Sequence, residues 1–480
     1  MSGATFITTA GNSSLDACSQ ALAAHLDVPT LASDVYRAGA ERFAGDSRDT
    51  ALAALAGDLR FVARLRRLRG LVHLPNQHLA RYGLLLREPY VVTVHDLIRH
   101  LDLVDGGGLI AAPGRRDAWY LRRDYAGVRR AAAVIAVSEA TRRNVVRHLG
   151  VPRERVFVVH NGLDHERFRP PAQPIDPGYP YVLFVGSEHP RKNLATVFRA
   201  LRLLKRTPGL TGLKLVKLGA AGRPQAPFRE RTRRAIELAG LGQDDVVFCE
   251  RVADEEMPAW YAGALCLVLP SLHEGFGMPP LEAMACGCPT VISSDPALVE
   301  VAGPAALVVD AQDYRALAEA INTLACDRPL RQRIVQRGLR HAQNFSWQQA
   351  AIDTHAIYAH LSERAIPEPN LNDTRNGTSS ILRAAHPHDP APAKSSRGFG
   401  LRLSRGGAPA QCSARLMAAS RRKQPSRTAR KATPREPDLR EWGSAGLAAE
   451  TLLVLRARAA HRVGDLSCLA GSLLAGTVGC

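Results

Sequence analysis

The chain has 480 residues, 46% of them hydrophobic, 22% charged and 5% aromatic, a length that calls for more than one core and a composition ordinary for a folded, water-exposed protein. Its net charge of +18 by itself suggests a partner such as nucleic acid, but residues 371–480 hold 18 Lys and Arg against 7 Asp and Glu, which places +11 in the last 110 residues and leaves +7 for the rest. Nine unevenly spaced cysteines fit neither a disulfide framework nor paired zinc knuckles, and no charged-then-apolar leader or run of 18 apolar residues occurs; a reducing, cytoplasmic setting is expected, with no metal site.

Short β-branched runs alternate with longer amphipathic stretches, the pattern of βα units on parallel sheets. Strands are expected at 5–9, 70–74, 90–94, 134–137 and 155–159, and helices at 15–26, 49–68 and 116–130. Ser138 reads as the N-cap of a helix over 139–148 that Gly150 ends. Residues 169–180 contain five prolines and read as a semi-rigid spacer. A second series follows, with strands at 181–185, 213–218, 246–248, 266–269, 290–293 and 306–309, and helices at 193–204, 229–239, 258–264, 314–325, 329–343 and 346–361.

The expected organisation is therefore α/β, with two Rossmann-like parallel-sheet domains facing a cleft that would bind a ligand. The first domain covers 1–170, a hinge 171–180, the second domain 181–345, and a closing helix 346–366 packs back toward the first. Residues 367–480, rich in Ser, Arg, Ala, Pro and Gly, have too little apolar periodicity to offset ordering entropy and are expected to be a disordered basic tail.

The strongest local signal is the run from Ser271 to Gly287, which follows the fully apolar strand 266–269 and so sits at a strand's carboxyl end, where open α/β sheets bind ligands. Gly275 and Gly277 let backbone approach a ligand, Pro279 or Pro280 suits a first helical turn, and the free N–H groups there favour an anion. Glu282 is placed in that first turn, eight positions after Glu274.

This run resembles the E-x7-E motif of the retaining glycosyltransferases of family 4 (glycosyl transferases group 1, GT-B fold), with a mannosyltransferase-like flavour in Met278-Pro279-Pro280. Further matches fall in family order: Val94-His95-Asp96, Val137-Ser138-Glu139 with Thr141, His160-Asn161-Gly162-Leu163-Asp164, Gly186 through Arg191-Lys192-Asn193, and Phe345-Ser346-Trp347. The resemblance implies transfer of a hexosyl unit, GDP-mannose being the first-choice donor and UDP sugars the alternative, to a glycan or lipid-linked acceptor in surface polysaccharide synthesis. It implies that Glu282 holds the donor ribose, that Glu274 holds the transferred sugar, that Phe276 and Gly277 offer backbone N–H groups, and that His95 faces the sugar from the first domain. Retention of configuration follows from the family and not from the carboxylate spacing.

The diphosphate leaving group gathers negative charge and must be stabilised. No Asp-x-Asp pair occurs to hold a metal, so Arg191 and Lys192 after Gly186 are the expected stabilisers and no cofactor is expected. Lys192 is one of only seven lysines beside 56 arginines, and a cationic pair at a helix start is disfavoured unless it serves a ligand. Glu274→Ala and Lys192→Ala are expected to abolish transfer without unfolding. The chain departs from the family pattern near its start, where Gly11, with Asn12 to Ser14, stands in for a Gly-rich phosphate loop, and at Glu250-Arg251, where a glycine is usual before Val252.

Arginine patches (Arg60, Arg64, Arg66, Arg67, Arg69; Arg115, Arg116, Arg122, Arg123, Arg129, Arg130) read either as solvated helix faces or as peripheral contacts with an anionic inner membrane leaflet. A nucleotide-sugar epimerase of the same fold, or a nucleic-acid-binding protein acting through the basic tail, are the alternative functions. The second leaves the ordered motifs unexplained, so no nucleic-acid partner is expected.

Overall fold

The computed structural model describes residues 3–9, 11, 13–33, 48–222 and 225–365; Asn12 and the basic segment 367–480 lie outside them. Strands β1 (Ala4–Thr9), β2 (Thr30–Ser33), β3 (Leu71–Leu74), β4 (Tyr90–Val94), β5 (Ala133–Ala136) and β6 (Val156–Val158) form a six-stranded parallel sheet in the order β2-β1-β3-β4-β5-β6. Strands β7 (Tyr181–Val185), β8 (Lys214–Leu218), β9 (Val246–Cys249), β10 (Cys266–Leu269), β11 (Thr290–Ser293) and β12 (Leu307–Val309) form a second, in the order β12-β11-β10-β7-β8-β9. Both sheets belong to one compact unit of the chain.

Helices cover both faces of each sheet, so the central strands are buried along their whole length, as in Tyr90–Val94 and Cys266–Leu269, and read as unbroken apolar runs. Several elements lacked such a signal, the four-residue helix Ala80–Gly83 among them. Strand β2 is a short edge strand, Thr-Leu-Ala-Ser, with three of four residues partly or fully exposed. The helices Ile98–Asp105 and Pro296–Ala302 are eight and seven residues long, too short for a clear period.

The helix Trp347–Ala365 returns to the first sheet, where Trp347, Ala350, Ala351 and Tyr358 pack with Phe6, Val91 and Ile135. A polar pin fixes it there: buried His73 meets the Tyr358 hydroxyl through Nδ1 at 2.5 Å and Thr93 Oγ1 through Nε2 at 2.8 Å. Burial pushes the His73 imidazole down to about 3, so it stays neutral. Among the described residues no helix is long and apolar enough to cross a membrane.

Strand order decides where a site can form. In the second sheet the chain leaves β7 toward β8 on one side, and β10 lies on the other, so the crevice between the carboxyl ends of β7 and β10 is a topological switch point. The loops carrying Arg191-Lys192 and Glu274-Gly275-Phe276-Gly277 are the two that leave these strands.

Candidate active site

The β7 loop begins at Gly186, whose φ of 144° disfavours a side chain and where a Cβ would lie 3.4 Å from Lys192 Cε. It continues through a single 3-10 turn, Pro190–Lys192, and ends at Asn193 in the left-handed region (φ 57°). Asn193 Nδ2 donates to Pro270 O at 3.1 Å and Ala311 O at 2.5 Å, and Leu272 N donates to Arg191 O at 2.7 Å, so the loops at the ends of β7, β10 and β12 are stitched together.

These ties set two cations on one carboxylate. Lys192 Nζ lies 2.6 Å from Glu274 Oε1 and Arg191 Nη1 2.8 Å from Oε2; Arg191 Nη1 also donates to His273 O at 3.1 Å. Lys192 and Glu274 are each only 8% exposed. Burial alone would raise the Glu274 carboxyl, but Lys192 and Arg191 outweigh it and hold it at about 2. Burial lowers the Lys192 ammonium, with Arg191 adding to that and Glu274 opposing it. Because Lys192 and Glu274 are each other's buried partners, removing one alone should cost stability even where the fold persists.

Asp295 holds the Glu274 backbone. It caps the Pro296–Ala302 helix through Ala297 N (3.0 Å) and Leu298 N (3.1 Å) and accepts Glu274 N at 3.3 Å. Burial, with Glu274 nearby, raises its carboxyl to about 6.

The first sheet meets this cluster at Gly275. A Cβ on Gly275 would fall 1.8 Å from His95 O and 2.9 Å from Asp96 Cβ, so glycine is required by close approach of backbone. Gly275 O accepts Ser138 Oγ at 2.7 Å and Thr141 Oγ1 at 3.0 Å, both at the start of the Glu139–Leu149 helix. The same helix N-terminus takes a carboxylate from the other half: Glu300 accepts Glu139 N at 2.6 Å, Ala140 N at 3.0 Å and His160 Nε2 at 2.9 Å. The Val-Ser-Glu and His-Asn-Gly segments are thus clasped to the second half.

His95 is 8% exposed; its amide donates to Gln77 Oε1 at 3.1 Å and its Nε2 to Pro75 O at 3.0 Å. That bond makes Nε2 the protonated nitrogen, and burial lowers the imidazole's affinity for a second proton.

Other candidates stand further off. Gly277 is left-handed (φ 111°) and precedes the Met278–Ala285 helix; among the described residues neither its amide nor that of Phe276 has a protein acceptor. The Phe276 ring packs 6.1 Å from Phe345 and 6.0 Å from His160. Glu282 is the fifth residue of that helix, so it opens the second turn and not the first, and the helix dipole does not explain it. Its Oε2 accepts the buried Tyr261 hydroxyl at 2.6 Å, and burial raises its carboxyl. Gly11 abuts Asp16, whose Oδ2 accepts Ser13 N at 3.0 Å and Ser13 Oγ at 2.5 Å in a capping box; this carboxylate already occupies the start of the Ser14–Ala23 helix. Asp295, Glu300 and the Gly275–His95 contact went unread because each depends on a residue distant in sequence. Asp295-Pro296 carried the only local hint, a cap followed by a first-turn proline. Among the described residues no three His, Cys, Asp or Glu side chains gather as a metal-binding group.

Comparison with known proteins gives the family and the fold. The description "Glycosyltransferase Family 4" matches residues 19–167 and "Glycosyl transferases group 1" matches residues 166–341. O-antigen chain mannosyltransferase B of Escherichia coli is 32% identical over 252 residues, 48% of this chain and 60% of that one. A D-inositol 3-phosphate glycosyltransferase of Streptomyces bingchenggensis is 32% identical over 240 residues, 47% of this chain and 52% of that one. The chain spans about half the length of the curated relatives it matches. Sucrose-phosphate synthase from Thermosynechococcus elongatus superposes with a TM-score of 0.59 at 22% identity, over 75% of this chain and 99% of that one. Anabaena HepE in complex with UDP-glucose does so with a TM-score of 0.57 at 19% identity, over 75% and 98%; these likenesses show the fold alone. The two family descriptions abut and together cross both sheets and the Glu274–Glu282 motif: this GT-B chain belongs to the glycosyl transferases group 1 family.

Proposed function

We propose that the protein is a retaining, metal-independent glycosyltransferase that moves a hexosyl unit, mannose from GDP-mannose, to a glycan or lipid-linked acceptor in surface polysaccharide synthesis. The observation that carries this reading is the buried Arg191–Lys192–Glu274 cluster at the β7/β10 switch point. Glu274 gives one carboxylate oxygen to each cation. A bound diphosphate would take over Arg191 and Lys192 while the sugar hydroxyls take the freed Glu274 oxygens, so one exchange seats both ends of the donor. As the bond from sugar C1 to the phosphate oxygen breaks, charge grows on that oxygen beside two cations in a site of low dielectric. The same oxygen then receives the acceptor's proton on the face it leaves, which is why no third carboxylate is needed as base. His95, neutral and with its Nε2–H held by Pro75, keeps Nδ1 as an acceptor for a sugar hydroxyl.

The mannose preference draws on the mannosyltransferase relative and on Met278-Pro279-Pro280. A thermal-shift panel of GDP-mannose, UDP-glucose and UDP-N-acetylglucosamine on the full chain, each with and without EDTA, tests the reading. GDP-mannose at about a hundred times its Kd should stabilise the fold by roughly 2.7 kcal/mol, undiminished by EDTA. No shift with any sugar nucleotide, or a shift that EDTA removes, overturns it.

Peripheral contact with an anionic leaflet at the inner face of the membrane belongs to the same proposal. The helix Arg115–Arg130 exposes Arg115, Arg116, Trp119, Arg122, Arg123, Arg129 and Arg130 along one stripe, while Asp124 is buried against Arg81 at 2.7 Å. Trp119 is 50% exposed, under the Arg123 guanidinium at 4.3 Å. Vesicles containing phosphatidylglycerol are expected to carry the protein upward in flotation, at about 1 kcal/mol per basic residue near the surface; equal flotation with neutral vesicles removes this part.

A further inference from the structure

The helix Ile98–Asp105 ends in three consecutive glycines, Gly106, Gly107 and Gly108, at φ 80°, 93° and 153°. They turn the chain back over the helix it has just left, and the next amides converge on one side chain. Asp102 Oδ1 accepts Gly108 N at 3.1 Å and Leu109 N at 3.0 Å; Oδ2 accepts Ile110 N at 3.1 Å and Ala111 N at 3.3 Å. Arg99 Nη1 adds a bond to Asp102 Oδ2 at 3.1 Å and one to Ala111 O at 2.7 Å. Asp102 is 1% exposed. A concave run of amides of this kind is an anion receptor, and here the anion is the protein's own carboxylate, so residues 106–111 are held as one preformed unit.

That unit reaches across to the other half of the molecule. Leu109 O accepts Arg191 N at 2.9 Å, and Arg191 is the residue whose guanidinium pairs with Glu274 and whose carbonyl accepts Leu272 N. The bond exists only while the two halves are together, since Leu109 belongs to the segment between β4 and β5 and Arg191 to the loop after β7.

We propose that Asp102 is a positioning residue for donor binding: by shaping residues 106–111 it presents the Leu109 carbonyl to the Arg191 amide, so that closure of the two halves and placement of the Arg191–Lys192 turn are one event. Asp102 touches no donor atom, and its effect passes through Leu109 and Arg191. The inference rests on the reading of Arg191 and Lys192 as the diphosphate-binding pair.

Amide hydrogen exchange on the full chain without donor tests the strap itself. Asp102→Asn keeps the volume but replaces one acceptor by a donor facing Ile110, Ala111 and Arg99. It should speed exchange at the Arg191 amide by about tenfold or more while β7 amides keep the parent rate, because local opening is read separately from global opening. Gly107→Ala should do the same without touching a charge, since its Cβ would lie 2.4 Å from Ala112 N. It decides the matter if Asp102→Asn does not fold. Both variants should raise the KM for GDP-mannose by about tenfold with a smaller change in kcat, the signature of lost binding common to ground and transition states. Parent-like exchange at Arg191 in a folded variant, an unchanged donor KM, or equal loosening of β7 overturns the inference. Lys192→Ala separates the two readings: if it leaves the affinity for GDP-mannose unchanged, the diphosphate reading fails whatever the Arg191 amide does.

Discussion

Lys192→Ala and Glu274→Ala are each expected to cut transfer by at least about a hundredfold to a thousandfold, the scale on which a preorganised charge stabiliser is lost, and each to melt well below the parent protein. The stability loss follows from burial. Lys192 and Glu274 are 2.6 Å apart and largely buried, so Glu274→Ala strands the Lys192 ammonium as an uncompensated charge, at a cost of about 3–5 kcal/mol, while Lys192→Ala costs less because Arg191 still pairs with Glu274 at 2.8 Å. The double variant should regain part of that loss, with a coupling of about 0.5–3 kcal/mol, and no activity. Denaturant unfolding of the four proteins beside initial rates measures both quantities, and purely additive stability losses would contradict the pairing.

The pH dependence has a definite sign. Glu274 falls from the ordinary 4.5 to about 2 on folding, so its contribution is complete above pH 4.5 and is lost as pH drops through that window. Asp295 rises from 3.8 to about 6, so its contribution is present when protonated and is lost as pH climbs from about 4 to 6. Glu274→Ala should therefore weaken the acid limb below pH 4.5, and Asp295→Asn should remove the decline between pH 4 and 6.

Gly275→Ala should collapse turnover by about a hundredfold, the scale of a misplaced reacting group, while weakening nucleotide affinity by no more than the roughly tenfold expected when the Leu109–Arg191 bond between the halves is lost. The added Cβ would fall 1.8 Å from His95 O. Its neighbour is backbone at the end of a buried strand, which no rotamer change can relieve, so the two halves must part. Parting breaks the Ser138 and Thr141 bonds to Gly275 O and withdraws His95 from Gly275, yet leaves the Arg191 and Lys192 side chains with Glu274 within the second half. Calorimetric titration with GDP beside kcat distinguishes this from general damage: parent-like kcat means the halves do not close through Gly275, and GDP binding lost altogether means the second half itself has been disturbed.

Local signals carried much of this protein. Strands such as Tyr90–Val94 and Cys266–Leu269 are buried on both faces and announce themselves as apolar runs. The Ser138 cap and Gly150 stop hold, Ser138 Oγ accepting Thr141 N at 3.0 Å and Gly150 lying at φ 65°. The edge strand β2 and the two short helices escaped because an edge needs no apolar face and two turns show no period.

The βα series, the glycine and proline punctuation around Glu274, and the cationic pair after Gly186 are legible from the amino acids alone, because each is written in residues adjacent along the chain. Only the tertiary structure decided the strand order that makes β7 and β10 neighbours, and with it the Lys192–Glu274 pair across 82 positions. It also brought Gly275 against His95, Glu300 onto a helix of the other half, and the Leu109 carbonyl onto the Arg191 amide. These are contacts whose energy comes from burial and close approach, and neither exists until the sheets have assembled.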